Sequence, residues 1–232
     1  MIRTRHAAER GRTSTDWLDS RHSFAFGAYR DAAQLGFRNL RVINEDRVAP
    51  GKGFAPHSHR DMEIVTLVLA GALEHRDSLG NGSVIRPGEV QRMSAGTGIT
   101  HSELNASATE PVHFLQIWIE PALAGLEPSY EQRAIAERPR GSTLLLLASA
   151  EGREGSLGLN ARADLYVARI DAKDTLAFAP RLSRNAWLQV IRGGVNVAGI
   201  ALAEGDGAAL HEEREVAIAA SSTSELLVFD LR

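Results

Sequence analysis

The amino-acid sequence predicts an all-β protein built as two β-sandwich or barrel lobes. Its apolar segments are short, rich in β-branched and aromatic residues, and bounded by Gly, Pro, Asn or Asp. Few windows carry a 3.6-residue period. A loose repeat of strand, glycine, glycine–acid and strand runs through both halves.

Taken in order, strands are expected from Leu40 to Val48, Met62 to Ala70, Val112 to Glu120 and Thr143 to Ala148, then from Leu165 to Asp171, Ala186 to Arg192, Val195 to Gly199 and Glu225 to Leu231. Turn signals separate them at Gly80-Asn81-Gly82, Pro87-Gly88, Gly193-Gly194 and Gly205-Asp206-Gly207. One short helix is expected, from Pro128 to Glu137. The repeat aligns Ile64 to Gly71, Gly88-Glu89 and His113 to Ile119 with Trp187 to Gly193, Gly205-Asp206 and Leu226 to Leu231. It implies an N-terminal lobe over residues 1–125 and a C-terminal lobe over 126–232, joined by the less patterned stretch from about Pro121 to Pro139.

The 232 residues carry 44% hydrophobic and 24% charged side chains with a formal net charge of -3, ordinary for a folded globular chain. Acidic and basic residues are interspersed, which speaks against nucleic acid and membrane lipid as partners and for a small molecule. The absence of cysteine excludes disulfides, thiolate metal sites and cysteine nucleophiles. The charged start, Met1-Ile2-Arg3-Thr4-Arg5-His6, has no apolar stretch of a secretory leader, and Leu144 to Ala148 is too short to span a bilayer. A cytoplasmic location is expected.

The chemistry lies in two short patterns. His57-Ser58-His59 puts two imidazoles on one face of a strand, since side chains two apart project the same way. Alone, such a pair reads equally as surface or core histidines. Gly96-Thr97-Gly98-Ile99-Thr100-His101-Ser102-Glu103 adds a second same-face pair, His101 and Glu103, behind a glycine-rich turn. On neighbouring strands the two pairs bring three nitrogens and one carboxylate to a single ion, with positions left open on an octahedral metal. A closed structural zinc site would more often use cysteine. The offset-matched positions of the second half are Ala179, Arg181, Ile218 and Ala220, so the C-terminal lobe is expected to hold no metal. Its one histidine is His211.

The other histidines have quieter readings. His6 and His22 lie near the N-terminus, with His22 a candidate to help close a pocket. His75 and His113, in expected strands, read as hydrogen-bonded residues rather than ligands. Phe24, Phe26 and Phe37 either line an aromatic pocket or belong to the core.

Gly51 through Glu63 resembles the first cupin motif, and Gly88 through His101 the second. The wording His59-Arg60-Asp61-Met62-Glu63-Ile64-Val65-Thr66, His75-Arg76-Asp77-Ser78 and Met93 through Glu103 is similar to the pirin family of cupins. So are Trp17 through Phe24 and Leu40 through Asp46, and the likeness extends through Trp187 to Val190 and Leu227 to Leu231. The resemblance implies a bicupin of two jelly-roll lobes with one metal in the first, held by His57, His59, His101 and Glu103. Other cupins use the motif-one glutamate, here Glu63; the pirin pattern favours Glu103 and leaves Glu63 as the alternative, in a supporting role. It further implies a quercetin 2,3-dioxygenase-like oxidoreductase, opening a flavonol with O2 and releasing carbon monoxide. The ion is expected to be divalent, Fe(II) by preference, with Ni, Mn, Co, Cu or Zn as alternatives. Glu103, or Glu63 in its place, is the expected catalytic base. Two further readings stay open: a metal-dependent regulatory or redox-sensing protein, and a cupin acting on another small metabolite. The sequence does not fix the oligomeric state.

Overall fold

The computed structural model describes residues 1–135, 141–181 and 185–232. These form two seven-stranded and two four-stranded sheets. In the first lobe the larger sheet runs Ser129–Ala134, Glu89–Ser94, Glu63–Ala70, Val112–Ile119, Leu40–Val48, Leu18–His22, Gly11–Ser14. It faces a sheet ordered Gly53–His59, Ile99–Asn105, Leu73–Asp77, Gly82–Ile85. In the second lobe the larger sheet runs Ile2–Arg5, Gly207–Leu210, Asn185–Arg192, Ser224–Leu231, Ala163–Ile170, Thr143–Ser149, Leu157–Gly158. Its smaller partner is ordered Thr175–Phe178, Val216–Ala220, Gly194–Val197, Ile200–Ala203. Each lobe is thus a sandwich, as expected, and the expected strands form with ends shifted by at most two residues.

Alternation along Val112–Ile119 explains how the first lobe sits. Leu115, Ile117 and Ile119 leave one face of the sheet, while Phe114, Gln116 and Trp118 leave the other, into the sandwich. The outward set meets its counterpart from the second lobe: Ile43, Leu67, Leu115 and Ile117 share one buried cluster with Leu165, Val167, Leu227 and Phe229. Trp187 is buried there, its ring 4.8 Å from Phe24 and 5.9 Å from Phe37. The two large sheets therefore pack against each other across an apolar layer, and burial of that surface ties the lobes together.

The lobes also exchange terminal strands. Ile2–Arg5 pairs antiparallel with Gly207–Leu210 in the second lobe, whereas Ser129–Ala134 pairs with Glu89–Ser94 in the first. The latter strand occupies the place of the expected helix from Pro128 to Glu137, whose last two residues lie outside the described ones. The edge of the large sheet offers a full ladder of partners, from Ser129 opposite Ser94 to Ala134 opposite Glu89, and this outweighs the helix preference of Glu131, Gln132, Arg133 and Ala134. Among the described residues the helices are two single 3-10 turns, Ala7–Glu9 and Arg153–Gly155.

Candidate metal centre

His57 and His59 come from Gly53–His59, and His101 and Glu103 from its antiparallel neighbour Ile99–Asn105. His101 stands directly opposite His57, but the next pair is Glu103 with Phe54, so one extra residue bulges out of the first strand. Pro56 lies in that bulge, where its missing N–H costs no ladder bond. Bulges bend a strand and re-aim its side chains, here the two histidines that follow. Two glycines allow close backbone approaches, one between the two strands and one at the turn before Ile99–Asn105. At Gly53 an added Cβ would lie 2.1 Å from the Glu103 carbonyl oxygen. At Gly96, in the left-handed region at φ +46°, it would lie 2.0 Å from the Leu126 carbonyl oxygen.

The three imidazoles converge. Ring centroids are 4.4 Å apart for His57 and His101, 4.8 Å for His57 and His59, and 4.9 Å for His59 and His101. One ring nitrogen from each lies within 4.8 Å of the others, a spacing that fits a single ion. His57 donates from Nδ1 to the Ala55 carbonyl at 2.8 Å, which fixes its tautomer and leaves the Nε2 lone pair free. His101 is buried, and neither of its ring nitrogens has a hydrogen-bond partner. Orphaned buried nitrogens are costly unless something binds them, and a metal ion would. Burial, and then the neighbouring imidazoles, push His101 down to about 3; burial followed by His57 pushes His59 down to about 4. Both are therefore neutral at physiological pH, the form that ligates.

Glu103 is also fully enclosed. It groups with His101 and His75 rather than with the first two histidines. Gln116, reaching across from the large sheet, donates to both of its oxygens at 3.0 and 2.7 Å. Burial raises the Glu103 carboxyl to about 7, Gln116 opposing and Asp46 adding to the rise. His75, 5.3 Å from His101, donates from Nε2 to Asp77 and accepts at Nδ1 from Gln91, both at 3.1 Å. Both nitrogens are thus hydrogen-bonded, and the ring stands beside His101.

Between the two sheets of this lobe lies a cavity of about 680 Å³ that reaches His57, His59 and Glu103. Its apolar walls include Trp17, Phe26, Phe54 and Trp118, arranged edge to face as Trp17–Phe54 at 5.2 Å and Phe26–Trp118 at 5.4 Å. A polar strip of Ser20, His22, Asn44, Asp46 and Gln116 runs along the large sheet. His22 lines this cavity, as its sequence position allowed, and so does Phe26; Phe24 and Phe37 instead belong to the layer between the lobes. Sequence reasoning missed Trp118, Gln116, Asn44 and Asp46. The signal was present in the alternation of their strands, where polar residues sit in phase with inward ones.

Glu63 lies elsewhere. It leaves the large sheet on the side of Val65 and Leu67, toward the second lobe, and accepts from Ser94 Oγ at 2.8 Å and from the Asn160 backbone N–H at 3.1 Å. It stands outside the histidine cluster and joins the lobes. His113 donates to Glu45 at 2.9 Å, and His6 and His211 contact Asp206 and Phe37 near the first strand. In the second lobe Ile218 and Ala220 fall in the strand equivalent to that of His101 and Glu103, while Ala179 and Arg181 lie beyond the end of Thr175–Phe178. Its interior is filled by Leu188, Val190, Val195, Val197, Ile218 and Val228.

Comparison with known proteins places these features in a family. Residues 3–119 match the family model described as Pirin, and residues 146–231 match the Quercetinase C-terminal cupin domain. The chain is 44% identical over 231 residues to a quercetin 2,3-dioxygenase of Escherichia coli (strain K12), covering 100% of this chain and 99% of that one. It is likewise 44% identical to a putative quercetin 2,3-dioxygenase of Mycobacterium bovis, covering 99% and 95%. The crystal structure of the bacterial pirin YhhW from Escherichia coli in complex with nickel(II) superposes with a TM-score of 0.95 at 44% identity, covering 100% of this chain and 99% of that one. A quercetin 2,3-dioxygenase from Acinetobacter baumannii, at 20% identity and a TM-score of 0.78 over 96% and 85%, shares the fold.

Proposed function

This chain belongs to the pirin family of cupins, and from that premise we propose that it is a metal-dependent dioxygenase that cleaves a flavonol such as quercetin with O2 and releases carbon monoxide. The observation that carries the reading is the convergence of His57, His59 and His101, the last with both ring nitrogens unpartnered, beside an aromatic-walled cavity of about 680 Å³. That volume suits a three-ring molecule, and its lining of aromatic edges suits a flat one.

In this reading His57, His59, His101 and Glu103 hold one divalent ion, Fe(II) by preference; nickel(II) in the Escherichia coli relative supports a divalent ion in the family. The second lobe holds none. A bound divalent ion would act as a Lewis acid, lowering the pKa of the flavonol 3-hydroxyl. The protein's own share is orientation and proton handling. Trp17, Phe26, Phe54 and Trp118 grip the rings and exclude water. Glu103, aimed by Gln116 and lining the cavity, takes the hydroxyl proton as general base. Glu63, bound to Ser94 and Asn160, keeps the two lobes in register instead. Among the described residues no helix is long and apolar enough to cross a membrane, and the cytoplasm is the proposed location.

The test is direct: anaerobically purified, metal-loaded protein is mixed with quercetin and O2, and flavonol loss and carbon monoxide are followed together. Both should appear and both should stop with a chelator. Metal-loaded protein that yields no carbon monoxide from any flavonol would move the assignment to another metabolite or to a regulatory role.

A further inference from the structure

The polar strip on the large sheet is nearly self-satisfied, and the exception stands out. His22 donates from Nδ1 to Asn44 at 2.8 Å and accepts at Nε2 from the Thr13 hydroxyl at 2.9 Å. Gln116 gives its amide N–H groups to Glu103 and accepts the Trp118 indole N–H at 3.3 Å. Asp46, opposite Ser20 in the sheet register, receives a hydrogen bond from that serine, yet its Oδ1 has no partner although the side chain is only 3% exposed. The guanidinium whose charge reaches it, Arg10, is bonded to Glu45 and to the Arg21 carbonyl. A buried acceptor left empty is costly unless a ligand donor fills it.

Asp46 also lines the cavity, on the wall facing the histidines. Glu103 lines the same cavity, so both carboxyls border one ligand space. We propose that Asp46 is a specificity residue whose unpartnered Oδ1 accepts a hydroxyl of a polyhydroxylated aromatic substrate, selecting such molecules over less hydroxylated parents. A phenolic hydroxyl is the fitting donor, because it is acidic and rigidly held in the plane of a ring that the aromatic walls already orient. The Ser20 hydroxyl, bonded to the carboxyl, helps keep it in place. The inference rests on reading this cavity as the substrate site.

Binding to metal-loaded protein without O2, read from tryptophan fluorescence, separates recognition from turnover. Two ladders are titrated: 3-hydroxyflavone, galangin and quercetin, and phenol, catechol and pyrogallol. The wild type should bind the hydroxyl-rich members at least roughly tenfold more tightly than the parents. Asp46→Leu should erase that preference while binding the parents as before, and the isosteric Asp46→Asn should give an intermediate preference, keeping the question answerable should the leucine variant fail to fold. An Asp46-dependent preference with no carbon monoxide from any flavonol would sink the dioxygenase reading and leave this inference standing. No preference in the wild type, or an equal loss for every ligand in the variants, would overturn it even with flavonol cleavage established.

Discussion

Gln116, from the large sheet of the first lobe, donates its side-chain amide to both carboxylate oxygens of Glu103 on the facing sheet, at 3.0 and 2.7 Å. A carboxylate held in this way by an outer partner is fixed in direction, and loss of such a partner typically weakens a metal site by about 10–100-fold. Gln116→Leu should therefore lower metal affinity within that range while the protein stays folded. Calorimetric titration of metal into the chelated protein, with circular dichroism as the folding control, checks it. Unchanged affinity would show that Glu103 needs no such support.

The chemistry was legible because two pairs of side chains, His57 with His59 and His101 with Glu103, repeat at the two-residue period of a strand. What stayed hidden depends on pairing between distant segments. Asn44, Asp46 and Gln116 read as ordinary polar residues of strands until the register places His22, Ser20 and Trp118 beside them. Leu40–Val48 was readable to its ends because Leu40, Val42, Ile43 and Val48 mark its core and both its limits, whereas Gly207–Leu210 and Ile200–Ala203 are half alanine and take strand form from their neighbours. Ser129–Ala134 shows the same dependence in reverse, a helix-forming composition drawn into an edge strand.

The layer between the lobes should make the chain one folding unit. Trp187 is buried in it against Phe24 and Phe37, and Trp187→Ala should cost about 3–5 kcal/mol. In a chain of this size that lowers the melting temperature by roughly 10 °C. A chain ending near residue 139 would expose Leu115, Ile117 and Ile43 to water and should aggregate. A soluble fragment that still takes up metal would show that the lobes fold independently.

Acid should release a second, local source of stability. Burial alone would raise Glu45, but hydrogen bonds from His113 and Arg10 outweigh it and hold the carboxyl down at about 2, against an ordinary 4.5. A group depressed on folding contributes fully above its unfolded pKa and loses its contribution as the pH falls toward the folded one. Glu45→Gln should thus destabilise by about 2–3 kcal/mol near pH 7, and the gap to the wild type should close between about pH 4.5 and 2. Denaturant melts across that window decide the matter; a gap independent of pH would assign the effect to packing.

Gly53 should tolerate no side chain. Gly53→Ala places a methyl 2.1 Å from the Glu103 carbonyl oxygen, so the two ligand-bearing strands must part. Metal uptake should fall well below one ion per chain in a protein that otherwise keeps its second lobe. Full uptake would mean that the strand pair can shift without harm to the site.

The four-residue metal site is tested most directly by metal content per chain, by elemental analysis, for the wild type, His101→Ala, Glu103→Gln and Glu63→Gln prepared side by side. About one ion is expected in the wild type, none in His101→Ala, a weakened and partly lost ion in Glu103→Gln, and nearly full occupancy in Glu63→Gln, whose carboxylate joins the lobes. Metal lost with Glu63→Gln and kept with Glu103→Gln, or full occupancy after His101→Ala, would contradict it.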